Sequence, residues 1–584
     1  MSRSVYALGV VAALALAACS SSSSNPCSGW TQWSQSGSHA GQVCVAAQQP
    51  SKILQTLTVD PFAATKTFVE GDLRVHYQVP LVVDDDVYTL HKLGTYDFPC
   101  AQSPDGSEVA CHAWDSQIWT EERWSWSGST LEFQWSAGSD WKPVPSEVAS
   151  AEPLFQPVIV GDKLYLPAGG GTIFKVDRHD GTRGARISPF GNGSTYNQDV
   201  YITGPLVADA RGNVYYNAIA FDHFAPLGAD AKAWLVRVSP DDTAVATSYD
   251  KLVTGAPTGT SCHGTFGSMN PPPDLPWPPP PNPDGSPVLP PLIDCGSQRP
   301  GVNVAPAIGS DGTIFTVSRA HRTSQDSFLV ALNSDLSTKW VTSLRGILND
   351  ACGVKVPSDG DTDLLKFDCR PGAITGVDRN TNQMPAGRVI DESSSSPVAL
   401  PDGAVLYGTY TAYNGSRGHV IKFDPAGKPL GNYDFGWDYT PAVWQHDGTY
   451  SIIVKDNNYG FDQVAMVNLG PYYITQLDKD MKIEWQFRNT NTQSCSYDSH
   501  HALHCVADHP NGFEWCINAP AIDSSGTVYA GGEDGVIYAI GQGGVDKGHL
   551  FLSMSLGASY TPLSIDHKGR IYQQNDGQLA IVGN

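Results

Sequence analysis

The sequence is short of three things, and each shortage argues against a class of protein. Beyond residue 18 no stretch approaches eighteen consecutive apolar residues, so we expect no membrane-spanning helix in that part of the chain. No stretch keeps a 3.6-residue hydrophobic period, which argues against a helical bundle or a helical solenoid. Basic residues are scarce, with 36 Lys and Arg against 59 Asp and Glu. The resulting net charge of −23 makes binding to nucleic acid electrostatically unfavourable.

The abundant residues favour a turn-rich, all-β protein. The chain has 58 Gly, 42 Pro and only 16% charged residues, a composition that fits neither a disordered chain nor a coiled coil. Its 584 residues exceed the roughly 250–300 that a single hydrophobic core supports. The chain is therefore either several domains or one large repeat architecture.

The amino-terminal residues predict export and lipid attachment. Arg3 is followed by an apolar stretch over residues 5–18, which is too short to span a bilayer and is typical of a signal peptide. The stretch leads into the letters LAAC at 16–19, which resemble the lipobox of bacterial lipoproteins, where the cysteine receives a diacylglycerol. Cys19 is then the lipidated residue, and the serine that follows it favours the outer membrane. The alternative is an ordinary secretory signal with an incidental cysteine.

Three segments follow from this interpretation. We expect a lipoprotein signal peptide at 1–18, a flexible Ser-rich tether at 19–25 and a folded body at 26–584.

Cysteine content agrees with export to an oxidising compartment. Apart from Cys19 the chain has eleven cysteines: Cys27, Cys44, Cys100, Cys111, Cys262, Cys295, Cys352, Cys369, Cys495, Cys505 and Cys516. Pairing neighbours in sequence predicts disulfides 27–44, 100–111, 262–295 and 352–369. The last three cysteines then compete for one bond, and a longer-range bridge to one of them stays open.

One sequence unit recurs through the body of the chain. It consists of an apolar strand beginning at proline, a turn with Gly or Asp, and a second strand that opens with an apolar and an aromatic residue. The eight copies are 80–88 (PLVVDDDVY), 157–165 (PVIVGDKLY), 205–215 (PLVADARGNVY), 306–315 (PAIGSDGTIF), 397–407 (PVALPDGAVLY), 441–450 (PAVWQHDGTY), 520–529 (PAIDSSGTVY) and 562–572 (PLSIDHKGRIY). Asp-Gly and related pairs tolerate the positive φ of a tight connection, so each copy predicts a β-hairpin.

The spacing of the copies predicts the architecture. Copies 42–48 residues apart leave room for four short strands, the size of one propeller blade, whereas spacings of 77–101 imply inserted loops. We therefore expect an all-β fold, a single β-propeller of eight four-stranded blades with disulfide-pinned loop insertions. The chain ends one outer strand short, and residues between about 30 and 60 are expected to supply it.

Three stretches carry a resemblance to a known family. The letters at 161–182 (GDKLYLPAGGGTIFKVDRHDGT), 526–540 (GTVYAGGEDGVIYAI) and 30–44 (WTQWSQSGSHAGQVC) resemble the pyrrolo-quinoline-quinone (PQQ)-type β-propeller family. The resemblance implies eight blades and a fold shared by enzymes and by non-catalytic scaffolds. The enzymes hold the quinone with Ca²⁺, and many have a disulfide between adjacent cysteines. Here no two cysteines are adjacent, no Cys-x-x-Cys-His motif is present, and no catalytic residue can be placed.

Two polar clusters are candidate sites. The segment 495–516 carries His500, His501 and His504 between cysteines; it is either a disulfide-pinned recognition loop, which we favour, or a Zn²⁺ or copper site. Asp359, Asp361 and Asp363 alternate like Ca²⁺ ligands, but an EF-hand needs a glycine where Leu364 stands, which favours a solvated turn.

A third candidate is a proline-rich insertion at about 253–303. Its core at 271–292 cannot pair in a sheet and is expected to form a rigid loop closed by cysteines. Together these features predict a lipid-anchored cell-envelope propeller that binds a protein or glycan without catalysis. The alternative is a periplasmic PQQ-dependent dehydrogenase that uses PQQ with Ca²⁺. Because connections between blades lie on one side of a propeller, we expect the pinned loops to form the binding face.

Overall fold

The protein is described by a computed structural model, and the structure covers most of the folded body. Described are residues 29–70, 73–96, 114, 116–149, 151–190, 197, 199–222, 225–268, 278–349, 351–354, 369–411, 417–436, 438–457, 459–461, 466–468, 470–497, 502–554 and 561–584. Across these ranges no helix is both long and apolar enough to cross a bilayer.

The first half of the chain forms four blades. Strands β1 (Gly29–Trp30) and β2 (Lys52–Thr58) and helix α1 (Ala63–Glu70) come first. Blade 1 joins β1 to β3 (Leu81–Val83), β4 (Asp86–Gly94), β5 (Gln117–Ser127) and β6 (Thr130–Ser139). Blade 2 contains β7 (Val158–Val160), β8 (Lys163–Ala168), β9 (Thr172–Asp177) and β10 (Arg183–Ile187). Blade 3 contains β11 (Val200–Ile202), β12 (Val207–Ala208), β13 (Val214–Ala220), β14 (Lys232–Val238) and β15 (Ala244–Ser248), and helix α2 (Tyr249–Leu252) follows. After the pair β16 (Cys262–His263) and β17 (Leu292–Ile293), blade 4 contains β18 (Gln298–Arg299), β19 (Ala307–Ile308), β20 (Ile314–Ala320), β21 (Thr323–Leu332) and β22 (Thr338–Ser343).

The second half forms the other four blades. Blade 5 contains β23 (Val398–Ala399), β24 (Val405–Tyr410), β25 (Arg417–Phe423) and β26 (Pro429–Gly436). Blade 6 contains β27 (Ala442–His446), β28 (Thr449–Asp456), β31 (Tyr473–Asp478) and β32 (Ile483–Arg488), with the hairpin β29 (Tyr459–Phe461) and β30 (Met466–Asn468) between them. The hairpin β33 (Gln493–Tyr497) and β34 (Leu503–Ala507) precedes blade 7, which contains β35 (Ala521–Ile522), β36 (Val528–Gly531), β37 (Val536–Gly541) and β38 (Val545–Phe551). Blade 8 contains β39 (Leu563–Ile565), β40 (Ile571–Asn575), β41 (Gln578–Gly583) and, from the other end of the chain, β2.

All eight predicted hairpins form, and each lies in a separate blade, which confirms the eight-bladed propeller. In blades 3 and 4 the innermost strand is interrupted, so that two short strands pair with the same second strand. The interruptions contain Pro205, Pro300 and Pro306, which lack the backbone N–H that a continuous ladder needs.

Turn chemistry explains why the repeated unit folds as a hairpin. In blade 7 the Asp523 carboxylate accepts the backbone N–H groups of Ser525 and Thr527 at 2.8 and 2.9 Å. Gly526 supplies a φ of +77°, which an L side chain adopts only with strain. Asp566 and Gly569 repeat this arrangement in blade 8.

The chain ends close the ring as predicted. Strand β2 pairs antiparallel with β41 from Lys52 opposite Gly583 to Thr58 opposite Gln578. Residues from both ends therefore share blade 8, so opening the ring requires breaking a strand pair as well as the contacts between blades.

An amino-terminal ring, residues 29–48, contacts every blade in turn. It pairs with β3 of blade 1 and forms backbone or side-chain hydrogen bonds with Ile159, Ala208, Ile308, Ala399, Val443, Ile522 and Gly569 of blades 2 to 8. These partners lie on the first strands or in the turn that follows, so the ring lies on the side of the disc that carries these turns. Its Trp30 and Trp33 are fully buried. The sequence predicts that this segment precedes blade 1, but its path along all eight blades is visible only in the structure.

Candidate binding face

The connections between blades lie on the side of the disc opposite the amino-terminal ring. In each blade the first strand runs from this side towards the ring, so the connection from the preceding outer strand must return to it. We call this side the loop face. Its three longest inter-blade connections with described disulfides are residues 249–297, 344–397 and 489–520.

Two of these connections touch each other directly. The backbone N–H of Phe266, in the first connection, donates to the carbonyl oxygen of Asn380, in the second, at 2.8 Å. The Asn382 side-chain amide donates to the carbonyl oxygen of Val288 at 3.1 Å. The proline-rich insertion is thus fastened to its neighbour as well as closed on itself.

In the described ranges, three disulfides pin the loop face. Cys262–Cys295 and Cys352–Cys369 form as predicted, with Cα–Cα distances of 5.1 and 5.7 Å. The competition among the last three cysteines is resolved in favour of Cys495–Cys505. Cys516 is a buried thiol, and burial raises its pKa well above the usual value.

Of the cysteines in the other two predicted disulfides, the structure describes only Cys44. Cys44 is disulfide-bonded. Cys27, Cys100 and Cys111 lie outside the described residues, so pairings 27–44 and 100–111 stay predictions.

Only one of the three predicted recognition histidines lies in the described part of the chain. His504 is on β34 and is exposed, whereas His500 and His501 are outside that part. His509, in the same connection, stacks on Phe513 at 3.8 Å and lies 2.7 Å from the Asp508 carboxylate. Asp359, Asp361 and Asp363 also lie outside the described residues, so the Ca²⁺ hypothesis stays a prediction.

Four buried residues that precede or belong to the inner strands of different blades interact with one another. His76 precedes β3 of blade 1, Asp438 precedes blade 6, Lys455 lies on β28 of blade 6, and Cys516 precedes blade 7. Asp438 and Lys455 act electrostatically on both His76 and Cys516, so the four residues form one buried cluster. All four are buried. Burial lowers the pKa of His76, which keeps the imidazole neutral at physiological pH.

A second buried group, on the loop face, fastens the closure of the propeller. Lys66 of α1 and Lys92 of β4 each contact both Asp60 and Glu152 at 2.5–3.0 Å, and all four side chains are at most 2% exposed. We call these residues the ion quartet. Burial alone would raise the pKa of Asp60, but the two ammonium groups hold it well below its usual value. The quartet links the segment after β2 to blade 1 and to the start of blade 2.

A third buried group lies between blades 4 and 5. The Arg299 guanidinium donates two hydrogen bonds of 2.7 Å to the Asp391 carboxylate, and Arg319 donates another of 3.0 Å. Burial opposes ionisation of Asp391, but the two guanidinium groups lower its pKa to about 2.

Four buried carboxylates on this face, those of Asp60, Glu152, Asp391 and Asp534, already have protein partners and do not fit a quinone–Ca²⁺ site. Those of the ion quartet are neutralised by lysines, and Asp391 by arginines. Asp534 accepts hydrogen bonds from Asn491 and Tyr538 instead. In the described ranges no three His, Cys, Asp or Glu side chains come together in a metal-binding arrangement. We therefore derive no chemical step through PQQ or Ca²⁺.

The opposite side of the disc has a cavity of about 570 Å³ between blades 5 and 6. Asp402, His446, Tyr450 and Lys479 are among its lining residues. Lys422, beneath it, contacts the Asp402 carboxylate at 3.3 Å and the Tyr450 hydroxyl at 2.6 Å. Residues of this cavity can therefore serve as control positions on the ring side when the loop face is tested.

Comparison with family models and with curated proteins gives no match. Among solved structures, a europium-containing methanol dehydrogenase is 9% identical, with a TM-score of 0.48 over 94% of this chain and 90% of that one. The quinohemoprotein alcohol dehydrogenase from Comamonas testosteroni is 10% identical, with a TM-score of 0.49 over 95% and 81%. BamB from Moraxella catarrhalis is 10% identical, with a TM-score of 0.37 over 91% and 99%. The eight blades are defined by the eight sheets of the structure itself.

The features whose partners are far apart in the chain could not be predicted from the sequence. The ion quartet joins residues up to 92 positions apart, and nothing in the local pattern marks them as a group. The hairpin β33–β34 does have a local signal in the sequence, which is two short polar–apolar segments with one cysteine in each. From the sequence this signal predicts a pinned loop and does not specify a hairpin.

Proposed function

We propose that this protein is a lipid-anchored β-propeller of the bacterial cell envelope whose loop face binds a protein or glycan partner without catalysing a reaction. The observation that carries the proposal is that three disulfide-pinned insertions lie on one side of the disc. A pinned loop loses less conformational entropy on binding than a free one, so such a face is preorganised for a partner.

The direct test is capture of an envelope partner by loop variants of the full chain. We expect shortening of 271–292, or the replacement of His500, His501 and His504 by Ala, to weaken capture while the thermal transition stays nearly unchanged. Substitutions at Gln445 and Asp447, which line the cavity on the ring side, are the matched controls. Loss of capture only in these controls would show that the partner binds the ring side of the disc and not the loop face.

The dehydrogenase alternative has its own test. Incubation with PQQ and Ca²⁺ is expected to give neither a stable complex nor reduction of an electron-accepting dye by an alcohol or sugar. Dye reduction would overturn the non-catalytic proposal.

The proposed anchor is Cys19, which lies outside the described residues. One acyl chain binds membranes only marginally, whereas a triacylated cysteine holds firmly. Cys19→Ser is therefore expected to move the protein from the membrane fraction to the soluble fraction without changing its thermal transition. A variant that still sediments with membranes in high salt would exclude lipidation as the anchor.

A further inference from the structure

Strands β33 and β34 form a two-stranded sheet that belongs to no blade. They pair antiparallel from Gln493 opposite Ala507 to Tyr497 opposite Leu503. Cys495 lies directly opposite Cys505, and their disulfide fixes the register. An isolated hairpin is marginally stable in water, so the cross-link supplies rigidity that the short strands lack.

The register determines which backbone groups point outward. The Cα atoms of Cys495 and Cys505 are 4.1 Å apart, which matches a non-hydrogen-bonded pair of about 4.5 Å rather than a hydrogen-bonded pair of about 5.5 Å. The N–H and C=O groups of Cys505 therefore point away from β33. By the two-residue alternation, those of Leu503 and Ala507 do the same.

Among the described residues, no strand pairs with this outer edge of β34. Every residue of β34 is exposed. In the part of the chain that the structure describes, the outward N–H and C=O groups of Leu503, Cys505 and Ala507 have no hydrogen-bond partner. Tyr497 on β33 packs against Phe551 on the outer strand of blade 7, with ring centroids 5.6 Å apart, so one face of the hairpin contacts that blade. The hairpin is thus attached to blade 7 through β33, and the outer edge of β34 is open to an added strand.

We propose that this edge binds an extended peptide segment of another protein, which adds to β34 as a third strand. The proposal rests on the proposed function and names the partner class. The outward groups alternate donor and acceptor along the edge, a pattern that another extended backbone satisfies and that a glycan does not repeat. Leu503 and Val506 are 46% and 63% exposed on opposite faces of the hairpin and offer apolar contacts to alternate side chains of the added strand.

Charge selects among peptides and disfavours self-pairing. The net charge of −23 makes the approach of a second copy, or of an acidic peptide, electrostatically unfavourable. The preferred segment is therefore neutral or basic, with alternating apolar and polar residues.

The test uses a proline scan with matched threonine controls in the full chain. Leu503→Pro and Ala507→Pro remove outward N–H groups while leaving the hydrogen bonds inside the hairpin, because proline is tolerated where the N–H faces solvent. Leu503→Thr and Ala507→Thr keep the N–H groups and change only the side chains. Non-reducing peptide mapping checks that Cys495–Cys505 forms in each variant.

The probe is a set of synthetic eight-residue peptides with alternating apolar and polar residues, in neutral, Lys-bearing and Glu-bearing versions. We expect neutral or Lys-bearing peptides to bind, and each proline variant to bind about tenfold or more weakly, a loss on the scale of one net hydrogen bond. The threonine variants should bind within a few-fold of the parent. Amide hydrogen exchange at Leu503, Cys505 and Ala507 should slow on peptide binding in the parent chain.

Three outcomes would overturn the inference. These are binding by no peptide, equal binding by proline and threonine variants, or sedimentation showing a dimer of the parent chain that Leu503→Pro abolishes. If envelope capture is lost on shortening 271–292 but survives Leu503→Pro, the proposed function stands and the strand-addition inference fails. If capture survives both changes, both fail.

Discussion

At the scale of single residues, the propeller buries acidic groups in two opposite ways. Asp391 is ionised because guanidinium groups surround it. Glu121 is fully buried, accepts one hydrogen bond of 2.9 Å from the Gln78 amide at Oε1, and has no partner for Oε2 in the described structure. Burial raises the pKa of Glu121 to about 8. The contribution of Asp391 to stability should therefore decrease as the pH falls, whereas that of Glu121 should decrease as the pH rises.

Glu121→Gln is expected to stabilise the protein at alkaline pH. The folded pKa is above the unfolded value of about 4.3, so the folded state keeps a proton that the unfolded state loses, and stability falls as pH rises between about 4.3 and 8. Gln keeps the shape and removes this titration. Urea unfolding at pH 8.5 should show a gain of about 1–3 kcal/mol, and unfolding at pH 5 little change. Glu132→Gln, at an exposed position on the neighbouring strand, is the control. Equal pH dependence in parent and Glu121→Gln would contradict this account.

Asp391→Asn is expected to destabilise the protein by about 3–5 kcal/mol, because it removes the carboxylate that contacts the buried Arg299 and the partly buried Arg319. In the parent chain the folded pKa of about 2 is below the unfolded value. The stabilisation is present above about pH 4 and is lost as pH falls towards 2. Urea unfolding at pH 7 measures the loss. Asp447→Asn makes the same chemical change at a side chain that is 93% exposed and should have almost no effect. Similar losses in both variants would refute the role of burial.

At the scale of elements, local signals predicted the strands, and long-range partners escaped prediction. The eight hairpins follow from Asp and Gly in their turns, and the pairing of β2 with β41 follows from a missing outer strand. The amino-terminal ring could not be predicted, because it is held chiefly by backbone hydrogen bonds to residues such as Ile308 and Val443, which any sequence offers. The three-way choice at Cys495, Cys505 and Cys516 likewise depended on a hairpin register that spacing alone does not specify.

Gly577→Ala is expected to weaken the closure of blade 8. Gly577 has a φ of +71°, and a Cβ there would meet the carbonyl oxygen of Asp60 at 2.5 Å and the Cβ of Ala63 at 2.7 Å. Gly128→Ala is the matched control, since it has a φ of +65° and nothing within 4 Å of the added atom. Both changes carry the strain of a positive φ, but only Gly577→Ala adds the clash.

Thermal unfolding should therefore show a larger fall in Tm for Gly577→Ala, with about 1–3 kcal/mol of extra destabilisation. Equal falls in Tm in the two variants would mean that the segment after β2 moves aside freely and does not stabilise the closure of blade 8.

At the scale of the whole molecule, the two sides of the disc differ in construction. The amino-terminal ring runs along one side and contacts all eight blades, whereas the other side carries the pinned insertions, the buried cluster and the open outer edge of β34. Buried charge groups such as the ion quartet hold the blades together beneath that loop face. A rigid disc that presents constrained loops on one side is suited to holding a partner in a fixed position.

The measurement that tests this account most directly is site-specific photo-crosslinking in intact envelopes. A photoreactive phenylalanine analogue is placed either at Val506 on the loop face or at Asp447 on the ring side; both positions are exposed, at 63% for Val506 and 93% for the Asp447 side chain. The account predicts a crosslinked product of discrete mass from position 506 and none from position 447. Crosslinking from position 447 alone, or from neither position, would contradict the claim that the loop face is the binding surface.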